Sequence, residues 1–143
     1  MTFLSGACTQ KEYNEEQYEE DIAEINELRE KELEAVLAGN VDSLMAIRTD
    51  DFIAMLPGMP AIKGKEAVRE VLTGMFGQME EFEHNTISEE VIVSGDWAFH
   101  RGTYTDRVTL KSGGRADARI REIALILQRQ EDGSWKYATR RLE

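Results

Sequence analysis

The chain of 143 residues holds one cysteine, two prolines and two histidines, and it sets only 17 bases against 28 acids. Each shortage removes a class of function. The lone cysteine, Cys8, cannot form an internal disulfide, and with two histidines it cannot assemble a zinc site. A formal net charge of -11 opposes nucleic-acid binding, which depends on Lys and Arg neutralising phosphates, so no nucleic-acid partner is expected. No apolar run approaches the roughly 20 residues that cross a bilayer. A Gly-rich phosphate loop, a G-x-S-x-G elbow and a cluster of metal ligands are missing too, and no cofactor or metal is expected.

Enough remains for a core. Hydrophobic residues make up 41% of a length that suits one domain. The charge is unevenly spread. Residues 11–34 carry eleven acids and three bases, residues 35–94 ten acids and four bases, and residues 95–143 ten bases and seven acids. A cleft lined by the last third can therefore favour an anion despite the acidic total.

The segment Phe3-Leu4-Ser5-Gly6-Ala7-Cys8 resembles the lipobox of bacterial lipoproteins, with small residues before the cysteine and a polar stretch after it. That resemblance implies an exported protein held to a membrane through a lipid anchor on Cys8. Without a basic n-region the stretch also reads as a frayed terminus of a cytoplasmic protein. Residues 1–14 are expected to form a flexible segment ahead of a domain spanning 15–143.

Tyr18, Ile22, Ile25, Leu28, Val36 and Leu37 recur at helical spacing over about residues 15–38, with glutamates on the wet face. Gly39-Asn40 stops that helix, and Asp42 is expected to cap a short second one through Ile47. Asp51 to Leu56 reads as a strand, and a third helix fits Lys65 to about Met79. Four strands follow near 82–94, 97–110, 116–130 and 135–142, broken at glycine-bearing turns. Helices followed by a meander indicate an α+β fold.

Alternation along the strands predicts which side chains share a face. Centring the turns on their glycines groups Ile87, Glu89, Val91 and Val93 with Ala98, His100, Gly102 and Tyr104. Glu122, Ala124 and Ile126 join them, then Trp135, Tyr137, Thr139 and Arg141. Trp97, Phe99, Arg101, Ile123, Leu125, Leu127 and Arg140 fall on the other face. Both faces are partly apolar and the helices cover one, so the outer face is expected to pair with another subunit in a homodimer.

Several short motifs then occur in a telling order. Glu34 to Leu44 resembles the A-x-x-x-G-D-x-d-x-L helix junction of the nuclear transport factor 2-like superfamily. Thr49-Asp50-Asp51-Phe52 resembles its strand start, and Ile62 to Ala67 its helix entry. Gly95-Asp96-Trp97-Ala98 and Asp132-Gly133-Ser134-Trp135-Lys136 resemble its turns. The likeness spans about residues 20–142, and the nearest branch is the SnoaL-like, ketosteroid-isomerase-like one. It implies a cone-shaped curved antiparallel sheet with three helices over its open side. Counting from Gly39, the isomerase's general-base position falls on Leu56 and its tyrosine position on Glu32. A leucine cannot abstract a proton, so that reaction is not expected. The Asp-Arg-Asp site of limonene-type epoxide hydrolases is not recognised either.

The candidate catalytic residues are His100, Glu122 and Tyr104, a base, a carboxylate to orient it and a hydroxyl to polarise a carbonyl. Glu89, Arg141, Leu56, Met55 and Tyr137 are the candidate ligand-binding residues, and Arg141 can hold an anion. His84, in a polar stretch, is expected to be exposed. The expected ligand is a small apolar or carbonyl-bearing molecule. Isomerase, cyclase or hydrolase chemistry is one reading, and a non-catalytic binding or dimerisation module the other. A cavity of roughly 300 Å³ or more, with His100 beside a carboxylate, favours the enzyme.

Overall fold

The computed structural model describes the backbone of residues 14–116 and 120–142, with side chains through Arg140. Cys8 and the lipobox-like stretch lie outside the described residues. Helix α1 (Glu15–Leu37) starts at Asn14, whose side chain accepts a hydrogen bond from the Glu16 N–H at 3.1 Å. It stops at Gly39, which takes the left-handed φ of 61°. The buried stripe runs through Asp21, Ile25, Leu28, Glu32, Ala35 and Val36. Tyr18 and Leu37, expected on it, are 38% and 50% exposed. The helix is thus rotated so that two carboxylates face inward.

Helix α2 (Val41–Ala46) is capped by Asn40, which accepts from the Ser43 N–H, rather than by Asp42. Asp42 instead pairs with Arg69 on the third helix. Strand β1 (Arg48–Met55) begins three residues earlier than expected and pairs with the two-residue β2 (Ile62–Lys63). Helix α3 (Lys65–Gln78) leads into the long hairpin of β3 (Met79–Ser94) and β4 (Trp97–Leu110). Short β5 (Arg115–Ala116), then β6 (Ile120–Arg129) and β7 (Trp135–Leu142), complete the sheet. The strand order is β2-β1-β7-β6-β4-β3, with β5 also on β4. Only β1 and β7 run parallel among these pairs. The result is a curved, unclosed sheet with three helices, an α+β fold as expected. Helix α1 lies on β3 and β7, and α3 on β1.

Three irregularities decide which residues face the helices. A one-residue offset reverses every later side chain on a strand. The first lies between Ser88 and Glu90, opposite Gly102 and Arg101. It turns Ile87 outward, 66% exposed, while His84 and Val93 are buried. Glu89 pairs with Arg101, a residue of the outer face. The second follows β5. Between the Val108–Ala116 and Thr105–Ile120 pairs, β4 advances three residues and the returning chain four. Ile123, Leu125 and Leu127 therefore point inward, 0–3% exposed, and Glu122 opposite Thr103 is exposed. The third lies in β7, which advances from Tyr137 to Thr139 while β6 moves one residue. Tyr137 is buried as expected, but Arg140 rather than Arg141 falls opposite the inward Leu125.

Glycine at position 102 answers a local need. A Cβ there would sit 2.1 Å from the Ile87 carbonyl oxygen, so no side chain fits beside the first irregularity. A buried ion pair fixes the other end of the fold. Arg129 donates from both Nη atoms to Asp21 at 2.8 and 2.7 Å, and Trp135 Nε1 donates to the same carboxylate at 3.3 Å. The guanidinium stacks 4.4 Å from the Trp135 ring, tying α1 to the β6–β7 turn. On the outer face Ile87, Ile92, Trp97, Phe99, Ile120 and Ile126 remain exposed.

Candidate functional site

A cavity of about 190 Å³ opens between α3 and the inner face of the sheet. Its apolar wall includes Val68, Leu72, Met75 and Phe76 of α3, with Leu56, Phe82 and Val108 from the sheet side. The helical spacing of 68, 72, 75 and 76 lays these side chains along one stripe. Its polar contributors are Arg48, His84, Asp106 and Arg140. All four come from strands.

His84 and Asp106 are direct cross-strand partners on β3 and β4. Residues so placed have side chains within reach, and His84 Nδ1 meets Asp106 Oδ1. The imidazole is buried, whereas the Asp106 side chain is 35% exposed. The ring stacks on Phe82, with centroids 5.8 Å apart, and tilts against Tyr104 at 5.9 Å. These contacts fix its plane. Nδ1 is engaged by the carboxylate, and Nε2 is the other ring nitrogen able to donate or accept.

Glu32 organises the adjoining cluster. Its carboxylate accepts from Arg48 Nη2 at 3.1 Å and from Arg140 Nη1 at 2.5 Å. Arg48 also donates to the Leu44 carbonyl at 2.6 Å and lies over the Phe52 ring. Burial pushes the Glu32 carboxyl up, but Arg140 and Arg48 outweigh it and hold the group below the ordinary range. Burial is also the main force lowering Arg48, against the opposing pull of Glu32. Two guanidinium groups thus share one carboxylate. Among the described residues, Nε of Arg48 and Nε of Arg140 are buried without a hydrogen-bond partner.

His100 sits elsewhere. It borders a much smaller cavity of about 10 Å³, the size of one water, with Glu32 and His84 on the same wall. Its Nε2 meets Ser88 Oγ at 3.0 Å, and no carboxylate bonds it among the described residues. Burial first, and nearby Arg29 next, lower its pKa from 6.5 to about 4, so it is neutral at pH 7.

The other expected site residues divide. Leu56 lines the cavity, whereas Met55, one residue earlier on the opposite face, is 37% exposed. Tyr104 is buried beside His84, and burial raises its hydroxyl pKa. Tyr137 is buried against Glu32, and burial is the main force raising its hydroxyl pKa, with the Glu32 charge next. Glu122 and Glu89 are on the outer side for the register reasons given above. The Arg141 side chain lies outside the described residues. His84, Asp106, Arg48, Arg140 and Glu32 were missed as a set. A signal for Glu32 existed, because it continues the Ile25–Leu28 stripe and a buried acid requires a cation. Among the described residues, no three His, Cys, Asp or Glu side chains gather as a metal site.

The sequence profile of the SnoaL-like domain matches residues 30–138. The chain belongs to the SnoaL-like domain family. Its fold is that of the nuclear transport factor 2-like superfamily. It is similar to a ketosteroid isomerase-like protein from Erwinia carotovora atroseptica, at 29% identity over 86% of this chain and 95% of that one, with a TM-score of 0.78. It also resembles, in fold, a protein from Streptomyces avermitilis described as a candidate dehydratase of the same superfamily. That match has 18% identity, covers 87% of this chain and 96% of that one, and has a TM-score of 0.76. A conserved protein from Planctomyces limnophilus matches at 24% identity and a TM-score of 0.73, covering 87% and 98% of the two chains. A comparison with curated proteins finds no match.

The buried neutral His100 has a consequence for this SnoaL-like domain. Its folded pKa lies below its unfolded value, so it favours folding above pH 6.5 and loses that contribution as pH falls toward 4. The loss amounts to about 3 kcal/mol at full protonation. Glu32 adds a separate loss below its unfolded value of 4.5. Urea unfolding of wild type and His100→Gln across this range should show the larger decline above pH 4.5 in wild type. Equal declines would contradict the assignment.

Proposed function

We propose that this SnoaL-like domain binds a small carbonyl-bearing molecule in the 190 Å³ cavity and catalyses proton transfer on it, with His84 as general base. The observation that carries this reading is the His84 Nδ1–Asp106 contact on the cavity wall. With Nδ1 donating to the carboxylate, Nε2 offers a lone pair. It takes a proton from a carbon beside the carbonyl, and the C–H electrons pass to the carbonyl oxygen as an enolate. The imidazolium then returns the proton to another carbon, or to a leaving hydroxyl. Isomerisation and dehydration share this first step. Names of similar proteins, ketosteroid isomerase-like and candidate dehydratase, fit such chemistry.

The cavity is smaller than the roughly 300 Å³ expected of an enzyme pocket, which restricts the ligand to a small molecule. His84 and Asp106 replace the expected His100 and Glu122 as the acting pair, and Leu56 is part of the wall. The rival reading, a receptor without catalysis, makes a different prediction. In D₂O, the wild type should exchange the protons beside the carbonyl of cyclohexanone, cyclohex-2-enone or 4-phenylbutan-2-one above the buffer rate. His84→Gln should lower that exchange by about 100-fold or more. Ligand binding with no exchange would favour the receptor.

The exposed Trp97, Phe99, Ile92 and Ile126 on the sheet's outer face support a homodimer through that face. Sedimentation equilibrium should report a dimer for wild type and a shift toward monomer for Trp97→Glu. A monomeric wild type at high concentration would reject it.

A further inference from the structure

Buried Arg48 and the largely buried Arg140 have more donor capacity than Glu32 uses. Arg48 is 3% exposed, and its Nε is buried with no partner among the described residues. Arg140 shows the same unpartnered Nε. Both side chains line the cavity, while the Glu32 carboxylate they share borders the smaller neighbouring one. Buried donors left unmade are costly, and two guanidinium groups share the single Glu32 carboxylate. The other carboxylate at the cavity, Asp106, is engaged by His84 and remains partly open to solvent. These features describe half of a site. The missing half is an acceptor with negative charge.

We infer that the ligand of this cavity carries a carboxylate, held by Arg48 and Arg140, ahead of an apolar body that lies along Leu72, Met75 and Phe76. A planar guanidinium matches a carboxylate well, and two of them select it over a neutral amide of the same shape. The cavity volume of about 190 Å³ limits the apolar body to a few carbons or one ring. The substrate class is then a small apolar oxo acid, in which the carbonyl next to His84 is separate from the anchoring carboxylate. The carboxylate enters as an anchor and takes no part in the proton transfer.

This inference rests on the reading of the cavity as the ligand site, and the experiment separates the two. Calorimetry near neutral pH and low salt would compare hexanoate and phenylacetate with hexanamide and phenylacetamide. The acids should bind the wild type at least about tenfold more tightly than their amides. Arg140→Gln should remove that preference. Should Arg140→Gln fail to fold, the wild-type comparison decides alone. Equal affinity for acids and amides would overturn the carboxylate class and leave the cavity as a ligand site. If neither acids nor amides bind, the ligand-site reading falls as well.

Discussion

The Glu32 carboxylate, held between Arg48 and Arg140, is the contact on which the interior depends. It comes from α1, and its partners come from β1 and β7. A carboxylate on the buried stripe of a helix is tolerated only with cations beside it. The seating of α1, the parallel pairing of β1 with β7, and the inward turn of Arg140 are therefore one arrangement. Losing any of them would leave a buried charge exposed to the apolar core.

That arrangement also gives the cavity two unlike sides. Helix α3 supplies an apolar wall, and the strands supply His84, Asp106 and the arginines. Asp21 performs the equivalent task at the other end of α1, where Arg129 and Trp135 receive it. The two acids differ in consequence. The Asp21 pairing is bidentate and closed by an indole, whereas Glu32 divides itself between two guanidinium groups whose Nε atoms have no partner among the described residues. The first joins α1 to the β6–β7 turn, and the second lies beside both cavities.

Helices, strands and the order of elements were legible because apolar spacing and glycine turns report local geometry. The family resemblance was legible for the same reason, since its motifs sit at turns and helix junctions. The site was not. Three one-residue offsets each reversed a face, so Glu89 and Glu122 were expected inside while Arg140, Leu125 and Leu127 were expected outside. Alternation is blind to a bulge until the partner strand is known. His84 was hidden by its acidic neighbours Glu81 and Glu83, whose side chains are exposed on the opposite face of the same strand. Arg48 lies in a strand whose partner is the last one in the chain, a pairing no local pattern announces.

His84, held by Asp106, is the base proposed for the cavity. The tautomer of its imidazole, read from two-bond proton–nitrogen correlations at a pH where the ring is neutral, tests this most directly. A protonated Nδ1, an unprotonated Nε2, and a change at Nε2 when a small acid binds are the expected result. A ring protonated on Nε2, or one unmoved by every cavity ligand, would contradict it.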